Sequence, residues 1–349
     1  GDGFGGSVDA PLNWISISQY SGTFDGGNHT IDFLCGSQPL FNVLVNSTVK
    51  NLIIGENGNL NGFACAGITK TVNGMDNYIT NCINRATITA TDRCGGIVAD
   101  IDVGDTKVFI TKCGNEGTLT APSGIVSGIL GYCSSRSMSK AGVMTDCYNR
   151  GTIYSYRNNL AGTGGMATSY SGDRVIGTNC YNTGIMSGGN YQGAIFPSGR
   201  GVAYNCFALN GNGGGLIDGV KALTQTQLQS WAAAYALNGQ SMDGSWTYTE
   251  GGYPTWGELD RPNDWSVVGQ GVIDGLITSP AMPSGDGNVD TPFQIGSAEQ
   301  LGVLAAKVNA GSPSLNADLL MDINLTGERY KGSPDNPIRW KPIGTSSSV

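Results

Sequence analysis

Ile79-Thr80-Asn81-Cys82-Ile83-Asn84 recurs along the chain. The same six positions return as Ile110-Thr111-Lys112-Cys113-Gly114-Asn115, as Met144-Thr145-Asp146-Cys147-Tyr148-Asn149, as Gly177-Thr178-Asn179-Cys180-Tyr181-Asn182 and, more worn, as Ala203-Tyr204-Asn205-Cys206-Phe207-Ala208. A fixed period of about thirty residues marks a solenoid, a propeller or another array. Each Cys unit is followed by a Thr/Ile strand: Thr87-Ile88-Thr89, Thr118-Leu119-Thr120, Thr152-Ile153-Tyr154. Each is preceded by a small-residue strand such as Gly95-Gly96-Ile97-Val98-Ala99, Gly128-Ile129-Leu130-Gly131, Gly164-Gly165-Met166-Ala167 or Gly193-Ala194-Ile195-Phe196. Three short strands per period, parted by Gly or Asn corners, make one coil of a three-sided solenoid; a four-stranded propeller blade needs ~40 residues or more. The fold class expected is all-β, a parallel β-solenoid.

Two turns extend the stack upstream: Gly22-Thr23-Phe24-Asp25-Gly26 leading to Thr30-Ile31, and Leu40-Phe41-Asn42 leading to Val49-Lys50-Asn51-Leu52-Ile53. About seven coils, each rising ~4.8 Å, predict a rod of roughly 34 Å. Composition agrees: Gly occurs 55 times and only 13% of residues are charged, against about 25% charged in an average globular chain. With no Gly-X-Y period, collagen is excluded and the glycines fall at corners. A net charge of -8 and pI near 4.6 leave no basic stripe to neutralise phosphates, so neither nucleic acid nor an anionic membrane is an expected partner. No apolar run approaches the ~20 residues that would insert into a bilayer. The chain opens on Gly1-Asp2-Gly3, which reads as a processed protein or an excised piece.

Beyond the repeat the pattern changes. Thr224 with Gln227 forms a capping box, and Leu228, Trp231, Ala232 and Tyr235 fall on one helical face before Asn238-Gly239. This helix is expected to cap the open solenoid end. A second helix starts at Ser297 with Gln300 in its capping box and presents Leu301, Leu304, Ala305 and Val308; a strand follows over 319–325 with Ile323 and Leu325, and the chain closes on Trp340-Lys341-Pro342-Ile343-Gly344. Three regions are thereby expected: the solenoid over 1–222, a capping helix with a closing β segment and linker over 223–283, and a helix-plus-strand segment over 284–349.

The Gly-Gly-Ile-Val-Ala and Ile-Thr-x-Cys-x-Asn-x-Gly-Thr units, over residues from about Ser21 to Asn210, resemble the GLUG-motif repeats of bacterial surface proteins. The resemblance implies a secreted or wall-attached protein at the bacterial cell surface, and no catalysis by the repeat itself. Some members carry a metallopeptidase elsewhere, but no His-Glu-x-x-His occurs here. In that family the order Pro-Phe-Gln-Ile, helix, Val-Asn-Ala-Gly, Asp-Ile-Asn-Leu, Trp-x-Pro-Ile-Gly looks like a module start, immediately before Gly-Thr-Phe-Asp-Gly; in this chain it stands last. Placing Trp340-Lys341-Pro342-Ile343-Gly344 ahead of Asn13-Trp14-Ile15 and Ser21-Gly22-Thr23-Phe24-Asp25-Gly26 restores the order. The expectation is therefore head-to-tail joining of copies, with Leu301, Leu304, Val308, Ile323, Leu325, Trp340 and Ile343 as the complementing residues. The copies could be separate subunits or periods of one tandem chain. The alternative is a monomer whose last region folds back or stands as a small domain.

Candidate sites are sparse. Cys82, Cys113, Cys147, Cys180 and Cys206 form one ladder: one soft ligand per coil, without His, gives no closed metal site, and the choice lies between packed thiols and disulfides. The nine cysteines include no Cys-x-x-Cys pair. Asn84, Asn115, Asn149 and Asn182, each two after the Cys, suit left-handed corners and amide stacking. Tyr148, Tyr181 and Phe207 would form a sugar-stacking stripe if they faced outward, and would otherwise pack between coils. Asp100, Asp102 and Asp105 could be a carboxylate cluster or a solvated loop. Asp286-Gly287-Asn288-Val289-Asp290 has the opening spacing of a calcium loop without its Gly and Glu, and reads as linker. His29, the one histidine, has no partner for acid–base work. No cofactor, metal or catalytic residue is assigned. The leading function is a structural or adhesive extracellular fibre unit; alternatives are a carbohydrate-binding module and, behind it, a polysaccharide-cleaving β-helix enzyme.

Overall fold

The computed structural model describes residues 12–101, 104–133, 141–155, 163–169, 174–188, 192–260, 262, 266–277, 283–323 and 343. The chain divides into two compact units, Gly1–Leu223 and Thr224–Val349.

The first unit is a three-faced parallel β-solenoid. Its first face stacks Thr23–Ile31, Thr48–Ile54 and Asn77–Asn84, then Val108–Thr111 with Gly114–Asn115, Gly142–Thr145 with Tyr148–Asn149, Val175–Thr178 with Tyr181–Asn182, and Val202–Tyr204 with Cys206–Leu209. The second face begins at Cys35–Gly36, Asn59–Cys65 and Thr87–Gly95; the third runs Phe41–Val45, Thr69–Asn73, Val98–Ile101, Leu130–Cys133 and Ala167–Ser169. The register matches the repeat: Ile79, Ile110, Met144, Gly177 and Ala203 are successive partners. About five turns carry strands on all three faces, fewer than the seven expected. The Cys206 copy builds a first-face rung only, because Gly211–Gly215 follow it where Thr/Ile residues would be needed. Of these glycines Gly215 contributes a single bridge, to Gly193.

Inside, Val49, Ile79, Ile110 and Met144 line one column with no exposure. Ile79 and Cys82 lie three apart, yet both are fully buried, which strict strand alternation forbids. The residue before each Cys resolves this by taking a left-handed backbone: Asn81 (φ 53), Lys112 (φ 50), Asp146 (φ 54), Asn179 (φ 54) and Asn205 (φ 50), with Asn51 (φ 55) at the same place one turn earlier. One left-handed residue per turn bends the strand and resets its in/out phase. The left-handed corner therefore belongs to this position, not to the Asn two after the Cys.

In the second unit the Thr224–Gln227 capping box is formed in both directions, at 3.2 and 2.9 Å. The expected single helix is two, Gln225–Leu228 and Trp231–Leu237, because Ser230 caps the second by accepting from the Ala233 amide. Gly239 (φ 65) ends it. Trp246–Thr247 and Thr255–Trp256 pair antiparallel, and the Asn238 amide clasps the backbone of Trp246 at both its N–H and C=O, 2.8 Å each. A further helix, Ser266–Ile273, lies where only linker was expected, since its Val-Val-Gly-Gln-Gly-Val-Ile sequence has weak helix propensity. It packs on helix Ala298–Asn309, where a Cβ on Gly269 would stand 2.0 Å from the Gly302 carbonyl oxygen. Phe293–Ile295 and Ala317–Leu319 pair in parallel around that second helix.

Candidate functional site

Each ladder cysteine sits at the bend just described, with its thiol pointing to backbone carbonyls. Cys82, Cys113, Cys147, Cys180 and Cys206 donate to the carbonyl two residues back at 3.2–3.4 Å. Cys113 also reaches Ile79 O and Cys147 reaches Ile110 O, at 3.5 and 3.4 Å, tying each turn to the one before. All nine cysteines are free and buried; between the two open readings the structure has packed thiols. A second column stands outside the six-residue repeat: Cys65 pairs in register with Cys94 on the second face. Burial pushes Cys65 up to about 12 and raises Cys94, Cys113, Cys147, Cys180 and Cys206 above the usual thiol range. These thiols are structural, not reactive.

Beside them runs an amide ladder. Asn84 donates to Asn115, Asn115 to Asn149 and Asn149 to Asn182, each through Nδ2 to Oδ1 at 2.8 Å. The same Nδ2 groups of Asn115 and Asn149 reach Gly117 O and Gly151 O at 3.1 Å, and Asn182 donates to Ala194 O at 2.9 Å. The ladder explains one glycine per turn, Gly96, Gly128 and Gly165. A Cβ on Gly96 would meet Asn115 Cβ at 2.8 Å, and one on Gly128 would meet Asn149 Cβ at 2.7 Å. The two halves of the repeat thus fit one another.

The aromatic column next to the cysteines offers no outward stripe. Tyr148, Tyr181 and Phe207 are 3%, 0% and 5% exposed. Tyr148 lies down on Gly114, where a Cβ would stand 2.4 Å from its ring, and stacks on Tyr181 at 5.6 Å. Its hydroxyl donates to Glu116 Oε1 at 2.6 Å; Arg150 covers the Tyr148 ring at 4.4 Å and donates to the Tyr181 hydroxyl at 2.7 Å. Burial and the neighbouring Glu116 carboxylate raise Tyr148. For Glu116 burial acts upward but is outweighed by the hydrogen bonds from Tyr148 and Arg85, which hold it below the usual carboxylate range. The rings are a polar-capped seam between coils, the packed arrangement and not the outward stripe.

The other candidates separate too. Asp100 is 5% exposed and ion-paired with Arg93, Asp105 is exposed and Asp102 lies outside the described residues. No group of three or more His, Cys, Asp or Glu suited to a metal occurs among the described residues. Asp286 accepts from the Asn288 amide and side chain at 3.0 and 2.8 Å and from Thr291. It makes a closed turn, whose Gly287 carbonyl is bonded by the Asn316 amide at 2.8 Å, so the segment is folded and not a free linker.

At the solenoid's N-terminal end, Thr23–Ile31 pairs only with Thr48–Ile54 among the described residues and is exposed over most of its length. In the second unit, Ser297 caps helix Ala298–Asn309 by accepting from Gln300 N at 3.2 Å, while Gln300 Oε1 accepts from Gly296 N at 2.7 Å. Val303, Ala305 and Val308 are buried, whereas Leu301 and Leu304 are half-buried. The strand expected over 319–325 runs over Ala317–Leu319 instead; Leu319 and the two residues after it, Leu320 and Met321, are exposed by 62%, 59% and 61%. Ile323 is half-exposed and Ile343 exposed; Leu325 and Trp340 lie outside the described residues. Strand pairing alone brings together a different site that sequence spacing could not show: an open groove of about 940 Å³ lined by Asn13, Trp14, Phe33, Gln38, Asn59 and Asn61, with neighbours from the same turns.

Fold and ladders define a parallel β-solenoid whose repeats are held by buried side-chain columns. No protein-family model matches the chain, and no curated protein does. Among solved structures, it is similar to a "putative immunoglobulin A1 protease" from Bacteroides ovatus, at 18% identity and a TM-score of 0.49, over 67% of this chain and 76% of that one. At that identity and score the likeness carries no functional argument.

Proposed function

We propose that this protein is a structural or adhesive unit of the bacterial cell surface, an extracellular solenoid shaft whose copies join head to tail. The observation that carries the reading is the pair of open parallel edges. Thr23–Ile31 presents one exposed edge, and Ala317–Leu319 is paired on one side only, among the described residues, with three large apolar side chains exposed at its end. Open strand edges offer unpaired backbone groups to strand addition, and the exposed apolar side chains lie at the C-terminal one. Both sheets are parallel, so the C-terminal strand of one copy continues the ladder pattern of the next. A heterologous contact of this kind propagates into a filament when its rotation does not close.

The second unit's exposed strand end gives the test. Leu320→Asp with Met321→Asp places two charges in the proposed joint, and sedimentation velocity of the full chain should pass from concentration-dependent polymers to a single monomer boundary. A chain ending at Pro283 should behave as that variant does. Association of the shortened chain equal to that of the full one would rule out donation.

A further inference from the structure

We propose that the groove on the first turns of the solenoid is a binding site for a neutral oligosaccharide. Its walls come from three consecutive segments: Asn13 and Trp14 from the entering chain, Phe33 and Gln38 from the first turn, and Asn59 and Asn61 from the second-face strand beneath. Trp14 and Phe33 are 38% and 37% exposed, large flat apolar surfaces of the kind that stack on the C–H face of a sugar ring. The Trp14 indole N–H donates to Leu40 O at 3.2 Å, which holds the ring plane in place. The side-chain amides of Asn13, Gln38, Asn59 and Asn61 are exposed and make no protein hydrogen bond among the described residues. Each offers two donors and an acceptor, the set that pairs with vicinal hydroxyls. No charged side chain is among the described lining residues, so a uronate or sialylated chain would find no counter-charge. Neutral sugar is the ligand chemistry that fits both walls.

Phe33 supplies a second, independent sign. It holds a left-handed backbone at φ 54, a conformation that a bulky residue rarely adopts and that Gly or Asn would take with less strain. Strained residues of this kind gather at binding sites. Its amide donates to Asp32 Oδ1 at 3.0 Å and Asp32 in turn is held by Asn57, so the corner fixes the ring in the groove wall. The aromatic ring is thus kept at a position where the backbone favours another residue.

The test is titration calorimetry of the full chain with short neutral oligosaccharides of glucose, mannose, galactose and N-acetylglucosamine, with oligogalacturonate as the acidic comparison. At least one neutral series should bind with a dissociation constant on the order of 0.1–1 mM, typical of an open site, and oligogalacturonate should not. Trp14→Ala and the Asn59→Ala/Asn61→Ala pair should each weaken binding at least about tenfold. Phe33→Asn should weaken it similarly while leaving the melting temperature equal or higher, and Tyr78→Ala on the first face should change nothing. Absence of binding to every neutral sugar, preference for the acidic one, indifference to Trp14→Ala, or a Phe33→Asn variant that loses stability with its binding would each overturn the site. Loss of self-association in Trp14→Ala without any sugar binding would assign the groove to the joint between copies instead.

Discussion

Asn149→Ala is expected to destabilise the solenoid by about 2–4 kcal/mol, on the scale of truncating a large apolar core residue. The side chain has no exposure; it accepts from Asn115 and donates to Asn182 and to the Gly151 carbonyl. Removing it opens a void and breaks three bonds in one step; Asn182 Oδ1 keeps only the Gly184 amide, at 3.0 Å, and Asn115 Nδ2 only the Gly117 carbonyl, at 3.1 Å. A hydrogen bond lost from a buried pair costs about 1 kcal/mol, and the void left by the side chain adds to that. Asn149→Asp is expected to be worse, since a carboxylate would face the carbonyl oxygen of Asn182 in a dry interior. Denaturant unfolding checks both: the midpoint should fall while the slope is kept. Thr145→Ala, on the outer side of the same rung, should stay within about 0.5 kcal/mol. A cost under about 1 kcal/mol for Asn149→Ala would mean that turns are held by backbone pairing and core burial alone.

The second large effect is alkaline unfolding. Six thiols, Cys65, Cys94, Cys113, Cys147, Cys180 and Cys206, are raised above 9.0 by burial. Below pH 9 they are protonated in folded and unfolded chains alike, and their contribution is fully present. As pH rises past 9 the unfolded chain releases these protons and the folded chain keeps them, so stability drains away toward the folded values, about 12 for Cys65. Each such thiol costs about 1.4 kcal/mol per pH unit, and six acting together about 8 kcal/mol per pH unit. For a domain stable by about 5–15 kcal/mol this means cooperative loss of sheet structure at roughly pH 10–11. Circular dichroism against pH, read with thiolate absorbance, should show both signals changing in one step. Thiolate absorbance developing from pH 9 in a chain that keeps its sheet signal would contradict the buried columns.

The legible part of this fold is what the chain repeats. Ile79, Cys82 and Asn84 stand at constant offsets, and in parallel stacking constant offset becomes vertical contact, so columns could be read directly. The glycine at Gly96, Gly128 and Gly165 was visible but its cause was not, because Gly128 meets Asn149 only after a full turn. The left-handed residue before each Cys was hidden by its chemistry. Asn81, Asn179 and Asn205 signal such a backbone, but Lys112 and Asp146 take the same conformation because the turn demands it. Tyr148 and Tyr181 read as packed between coils without a visible reason for it; that reason is the empty place at Gly114 and the cover of Arg150. The helix at Ser266–Ile273 was obscured by β-branched residues and glycines whose helical state is set by close packing on Gly302. The groove was least legible of all, since Trp14, Phe33 and Asn59 share no motif and meet only through the stacking of separate turns.

Joining of copies through their ends is the claim on which the functional reading rests, and electron microscopy of the purified full chain tests it most directly. Uniform fibres whose axial repeat equals one chain are the expected result. Dispersed single particles at high concentration, with no end-to-end contacts, would contradict it.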